Sequence, residues 1–503
     1  MNRWRPKQER ARSSDDSRKR EVERLRRENE RLREKVDEQA KQIADAQKHI
    51  VDLERQLALR QQNSTTTSKP PSSDGLAGRQ RVRGRRAKSR RKPGGQPGHP
   101  GHARPLVPAD RVNAVVDLVP DTCRHCQHAL RAARHRDGGP RRHQVTELPP
   151  IEPHITEYRC HRLRCPACGK TTQASLPDEV EDQFGPQLTA LIAYLTVVCR
   201  LPRLLVQRLL ESALQLPISL GSTQNAWEEA SAAVAAPYEE LQAALPTQAV
   251  LNADETGHRT NGAKRWLWTL VAPTFVFYTI ATSRGADVLR RLLGATFAGI
   301  LGSDRLPTYT TYASGQRQFC WSHFTRNLLS AQELAKTTSA KRFCREALAL
   351  QRRLFRLWHR FRGDPHTRGG PITREQLIAK ALPVEKAFFA LGERDVNAAA
   401  PDVSNLARAL FVHHQHFFTF VHEDGVEPTN NGAERALRTA VQWRKIMFGN
   451  RSDNGERAVE RLLTVTRTCQ LQQLNALAYL TAAIRCHRRR QAVASLLPQR
   501  PTP

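Results

Sequence analysis

Val250-Leu251-Asn252-Ala253-Asp254-Glu255-Thr256 is an apolar run that ends on an acid. A short apolar run of this kind reads as a buried strand, here over 247–254. Strand-like runs recur at 265–272, 274–281 and 298–303, with a helix predicted over 284–294, so 247–330 alternates in the manner of an α/β core. Gly299-Ile-Leu-Gly-Ser-Asp304 closes a second strand on an acid. A third, Glu434, sits in Thr429-Asn-Asn-Gly-Ala-Glu-Arg-Ala-Leu-Arg438, which reads as a helix start with Asn430 or Asn431 as its cap. Two acids at strand ends and one on a distant helix are the donor set that two divalent metals need. Such a pair, about 3.5–4 Å apart, drives in-line attack on a phosphodiester. Magnesium takes a few carboxylates and fills its remaining positions with water and phosphate oxygens. Glu255 points to the opposite strand face and is left out of this set.

The charge of the chain points the same way. Among 503 residues, Lys and Arg exceed Asp and Glu to give a formal net charge of +31, the footprint of a polyanion binder. No apolar stretch reaches the ~20 residues of a membrane span, and no apolar core follows Met-Asn-Arg-Trp-Arg-Pro-Lys at the start. The expected setting is the cytoplasm, on the nucleoid of a bacterium, with no membrane partner. Ten cysteines in a long chain of this kind suggest metal ligands and buried thiols rather than a disulfide framework.

Residues 1–60 are predicted to be a helical coiled coil. Val22, Asn29, Val36, Ile43, Ile50 and Leu57 recur every seven residues, and Leu25, Leu32, Gln39, Ala46 and Leu53 fill the second register. That is a heptad seam, and Asn29 at an a position favours a parallel dimer in one register. The other reading of the seam is an amphipathic helix packed on its own protein. Residues 61–105 read as a disordered basic linker. Its cations Arg81, Arg83, Arg85, Arg86, Lys88, Arg90, Arg91 and Lys92 would neutralise phosphates without reading sequence.

Residues 106–178 hold two C-x-x-C knuckles, Cys123-Arg-His-Cys126 and Cys165-Pro-Ala-Cys168. Four thiolates so paired suit one tetrahedral structural zinc ion. Strand-like text over 151–164 is expected to form a hairpin between the knuckles. Residues 179–245 read as helices that either bind DNA or pack under the core, with 220–225 a turn. A first core segment at 246–330, a helical insertion at 331–400, a second core segment at 401–490 with a strand-like run at 441–448, and a tail at 491–503 complete the division.

Cys320 and His323 lie shortly after the second acid; two ligands alone do not make a zinc site, so a supporting role is assigned. Arg435, Arg438, Arg444 and Lys445 follow the third acid and are candidate grips on phosphate. Trp321 is read as core.

These ordered motifs resemble transposases of the insertion-sequence-66 type, members of the Asp-Asp-Glu (DDE) group. The resemblance spans nearly the whole chain. It includes Pro70-Pro-Ser-Ser-Asp74, Gly94-Gly-Gln-Pro-Gly-His99, Tyr158-Arg-Cys-His-Arg-Leu-Arg-Cys-Pro-Ala-Cys-Gly169, Ala253-Asp-Glu-Thr-Gly257, Ser283-Arg284-Gly285, Cys320-Trp-Ser-His323 and Asn430-Asn-Gly-Ala-Glu-Arg-Ala-Leu-Arg438. It departs at Thr429, where relatives often have Asp, and after Asp304, where Arg-Leu-Pro stands in place of Gly-Tyr. The resemblance implies a multidomain α/β protein with an RNase H-like catalytic core interrupted by a helical insertion. It implies Asp254, Asp304 and Glu434 as ligands of two magnesium ions, with manganese an alternative. Double-stranded DNA, as terminal inverted repeats and target, is the implied partner, alongside small accessory proteins of the same element. A second reading is a non-catalytic DNA-binding, repressor-like protein that has lost the chemistry; three intact acids argue against it.

Overall fold

The computed structural model describes residues 6–61, 105–130, 139–177, 179–180, 183–312 and 314–498. The basic block 81–92 lies outside them. One helix, α1 (Pro6–Gln61), forms the N-terminal arm. Its apolar seam, Val22, Leu25, Leu32, Val36, Ile43, Ile50, Leu53 and Leu57, is 48–61% exposed.

Residues 105–177 have no buried residue among those described. Their ladder is an antiparallel pair, β1 (Arg162–Arg164) and β2 (Thr171–Gln173). This hairpin brackets the second knuckle instead of lying between the two, because the Cys165–Cys168 turn itself joins the strands.

The chain then builds a mixed α/β body. Helices α2 (Pro186–Val197), α3 (Arg203–Leu214), α4 (Leu220–Ala233) and α5 (Ala235–Ala243) precede the sheet. Helix α4 begins at 220, capped by Ser219 accepting from the Ser222 N–H, so the segment expected as a turn is already helical. The sheet comprises β3 (Val250–Thr260), β4 (Ala263–Val271), β5 (Val276–Ala281), β6 (Phe297–Ser303) and β7 (Ser314–Phe319), in the spatial order β5-β4-β3-β6-β7. Strand β4 is antiparallel to both neighbours, whereas β3, β6 and β7 are parallel. Helix α6 (Ala286–Leu293) supplies the crossover to β6, and α7 (Pro307–Thr311) follows it.

Strand β3 continues six residues past Asp254. Asn261 and Gly262 both take positive φ, 48° and 77°, the turn whose twist suits a two-residue hairpin. That turn lets β4 pair β3 from Thr260 back to Asn252, so Asp254 is mid-strand rather than terminal.

Between β7 and the third acid lie α8 (Trp321–Leu334), α9 (Thr338–Phe361), α10 (Arg374–Asp395), α11 (Pro401–Val412) and α12 (Thr419–His422). They share one core that includes Phe319, Trp321, Phe343, Phe388, Leu410 and Phe417, so the helices expected at 331–400 have partners on both sides in sequence. Trp321 is fully buried and its indole N–H donates to the Phe417 carbonyl at 2.6 Å.

Helices α13 (Asn431–Met447), α14 (Asp453–Leu471) and α15 (Ala476–Arg488) return to the sheet. The run 441–448, expected as a strand, is the last turns of α13; Ala440 and Trp443 bury one helical face of it. Helix α14 closes the β5 edge. Thr468 Oγ1 accepts from the Val276 N–H (3.1 Å), Thr464 Oγ1 from Tyr278 (3.0 Å) and Glu460 Oε1 from Ile280 (2.5 Å). Four residues of helix rise about 6 Å and two of strand about 6.6 Å, so side chains at every fourth helical position meet every second strand amide. An edge that would otherwise invite another strand is thereby covered. The helices before the sheet pack here too: Arg488 on α15 pairs with Glu229 on α4 at 2.6 Å and donates to the Phe184 carbonyl.

Candidate active site

Strands β3 and β6 pair over three residues only, ending at Asn252↔Gly302. Asp254 and Asp304 each stand two residues beyond that last pair. Side chains alternate along strands, so both carboxylates leave on one side, just past the end of the β3–β6 pairing: Asp254 from within β3, which continues alongside β4, and Asp304 from the end of β6. That is the crevice where open α/β sheets hold ligands. Gly302 leaves room at the register point for the Asn252 side chain, whose Oδ1 would lie 2.3 Å from a Cβ there and would have to move.

Helix α13 brings the third acid. Asn430 precedes it, but its side chain does not cap the helix. Asn430 Nδ2 donates instead to the Ala253 carbonyl at 2.7 Å, beside Asp254. The Asn430 N–H donates to Cys320 Sγ at 3.1 Å. The Cys320 N–H in turn donates to the Ser303 carbonyl, beside Asp304, at 2.8 Å. These bonds hold β3, β6, α8 and α13 around one point. Glu434 lies in the first turn of α13, where the helix dipole favours a carboxylate.

The electrostatics report the same proximity. Burial, then the carboxylates of Glu255, Asp304 and Glu434, push the Asp254 carboxyl up to about 8. Glu434 Oε1 accepts from Arg326 Nη2 at 2.9 Å and lies 3.4 Å from His323 Nδ1. Burial, and then Arg326, lower the His323 pKa against the pull of Glu434 and Asp304. Glu255 is occupied elsewhere: Arg284 pairs with it at 2.7 Å and the buried Tyr309 hydroxyl donates to it.

Arg305 and Arg326 were not singled out from sequence. Arg326 follows His323 by three residues as His323 follows Cys320, one helical face whose period was available to be read. Arg305 adjoins Asp304, and burial lowers its pKa to about 10; its ring contact over Phe324, at 5.1 Å, is a tertiary fact. Of the cations expected after Glu434, Arg444 reaches the β3 face that bears Asp254, with Nη1 3.4 Å from Thr256 Oγ1. Arg435, Arg438 and Lys445 are exposed.

The two knuckles are built alike. In the first, the Gln127 N–H donates to the Cys123 carbonyl and the Cys123 N–H to the His128 carbonyl; in the second, Gly169 bonds Cys165 and Cys165 bonds Lys170 in the same way. Positive φ follows each, at Gln127 (61°) and Gly169 (71°). Backbone N–H groups of Cys126 and His125 lower the Cys123 pKa, and those of Cys168 and Ala167 lower that of Cys165. The four thiols do not meet at one point. Among the described residues, Cys320, His323 and Glu434 are the group whose ligand atoms all lie within 4.8 Å of one another.

Comparison with known families bears directly on this arrangement. The profile of the Transposase IS66 family matches residues 181–458, more than half of the chain, and spans every element of the site. The chain belongs to that family. A second profile, a family of unknown function (DUF6444), matches residues 5–105 of this IS66 transposase. No similar protein was found among curated ones. Membership establishes a transposase role, with DNA as the macromolecule handled and divalent metal the associated requirement. Among the described residues, no helix of the transposase is long and apolar enough to cross a membrane.

Proposed function

We propose that this transposase cuts and joins DNA at the ends of its own element, with Asp254, Asp304 and Glu434 as the catalytic acids. The observation that carries the reading is that β3, β6 and α13, tied together by the Asn430 and Cys320 hydrogen bonds, bring Asp254, Asp304 and Glu434 to one place; burial first, then Glu255, Asp304 and Glu434, raise the Asp254 pKa to about 8. Partly buried carboxylates that repel one another are stabilised by a bound cation, and an all-oxygen donor set suits magnesium or manganese. Such ions would supply Lewis acidity to the attacking and leaving oxygens. The strand order and the lone antiparallel β4 support an RNase H-like core.

The chain's own residues would hold the reacting strand. Asp254 and Asp304 fix one edge of the site and Glu434 the other. Arg444 and Lys445, with Arg435 and Arg438 farther out, bind flanking phosphates. Water attacks phosphorus, the P–O3′ bond breaks, and the released 3′-oxygen takes up the proton. That 3′-hydroxyl then attacks a target phosphodiester, and the departing 3′-oxygen of the target is protonated in turn.

The other modules fit DNA handling. Two knuckles with N–H groups aimed at their first thiols suit zinc thiolates, and a segment with no buried core needs such a cross-link to hold shape. Cys123, Cys126, Cys165 and Cys168 would hold that ion when the knuckles close. The exposed seam of α1 supports self-association of two chains. Helix α9 adds a phosphate-facing surface: Arg345, Arg352, Arg353 and Arg356 are exposed without an acidic partner among the described residues.

The test is purified protein, magnesium and DNA bearing the ends that flank its gene, with new 3′-hydroxyl termini mapped. Cuts at the ends, absent in Asp254→Asn, are expected, with joined product when target DNA is present. Binding without cuts in every metal, with accessory proteins added, would instead support the repressor-like reading.

A further inference from the structure

We infer that Cys320, His323 and Glu434 form a binding site for a zinc-class divalent cation, separate from the knuckles and adjoining the three acids. The pair Cys320 and His323 lacked a third ligand in the sequence; the fold supplies one from α13, more than a hundred residues on. Their ligand atoms lie within 4.8 Å of one another. His323 Nδ1 and Glu434 Oε1 are 3.4 Å apart. Zinc–nitrogen and zinc–oxygen bonds of about 2.0–2.1 Å at tetrahedral angles put such atoms about 3.4 Å apart. A zinc–sulfur bond of about 2.3 Å puts the thiol about 3.6 Å from the other ligands, so from within 4.8 Å it closes by at most about 1.2 Å.

The surroundings resemble those of a ligating set. His323 Nδ1 is buried with no hydrogen-bond partner, a cost that a metal bond removes. The Asn430 N–H on Cys320 Sγ and Arg326 on Glu434 Oε1 are the outer contacts that orient a thiolate and a carboxylate. Cys320 is also the N-cap residue of α8, where the N–H groups of Asn430, His323 and Ser322 oppose the burial that raises the thiol's pKa in the metal-free fold. Sulfur and imidazole select zinc over magnesium. A carboxylate has two oxygens, so Glu434 can serve this ion and the catalytic set together. The ion would lock the start of α13 to the start of α8 and fix the rotamer of the third acid.

The inference rests on these ligands and not on the cleavage reading, so its test reads metal content. Full-length protein purified with zinc is assayed for zinc per chain by mass spectrometry. His323→Ala and Cys320→Ser should each carry one zinc fewer than wild type, with helix content unchanged by circular dichroism. Asp254→Asn should keep the wild-type number, and Cys165→Ser should lose a different ion, so that its loss adds to that of His323→Ala. Cobalt-loaded Cys123→Ser/Cys165→Ser protein should retain a thiolate-to-cobalt band that adding Cys320→Ser abolishes. Retention of full zinc by either His323→Ala or Cys320→Ser, or no cobalt band dependent on Cys320, would overturn it.

Discussion

Asp254 binds a proton in the metal-free fold far above the usual carboxylate range, because burial and three neighbouring acids oppose its charge. Its folded pKa is about 8 against the ordinary 3.8. The sign follows: the folded state holds a proton that the unfolded state has released, so stability is full below about pH 4 and is lost as pH rises through 8. Chelator-treated wild type should therefore lose a few kcal/mol of unfolding free energy between pH 4 and 8. Asp254→Asn should flatten that dependence in denaturant titrations at each pH, while lowering cleavage by about a thousandfold or more. An equal pH slope in both proteins would show that Asp254 does not hold the proton. The acid itself was legible, since it closes an apolar run. Asp304 and Glu434 were legible from their own local settings too, but Arg326 was not, because it comes from a helix that no strand pattern announces.

At the scale of elements, α14 replaces a missing strand neighbour with side chains. Glu460, Thr464 and Thr468 lie on one helical line and answer three amides of β5. Thr464→Val keeps shape and removes the acceptor from the buried Tyr278 N–H. A loss of about 1–3 kcal/mol in urea unfolding is expected; a neutral result would mean that the amide finds water. The N-terminal helix makes the opposite case, an apolar line left about half exposed among the described residues. Leu25→Glu with Leu32→Glu should convert an associated species to monomer in sedimentation, and unchanged mass would place association elsewhere. Heptads make α1 readable because the period is local. The strand reading of 441–448 failed because Val441, Trp443 and Met447 suit either structure, and packing on the sheet selected the helix.

Across the whole molecule, a net charge of +31 is distributed over several surfaces. Helix α9 presents Arg345, Arg352, Arg353 and Arg356 along one side of the helical layer, well apart in sequence from the cations of α13. If both surfaces meet one DNA, replacing Arg352, Arg353 and Arg356 with Ala should lower the slope of log K against log salt by about 2–3. Cleavage of a short duplex confined to the acids should change less than binding of a long one. An unaltered slope would leave α9 a solvated face.

The sequence by itself determined the heptad helix, the knuckle turns and four of the five strands of the sheet, because each follows from a period or a turn chemistry within a few residues. Tertiary structure decided that Asp254 lies mid-strand, since the Asn261-Gly262 turn and β4 prolong β3. It decided that Asn430 ties α13 to β3 instead of capping its own helix. It also decided that Cys320 and His323 meet Glu434. These are contacts across more than a hundred residues of chain, set by which buried amides and carbonyls remain to be satisfied once the sheet and the helical layer have packed.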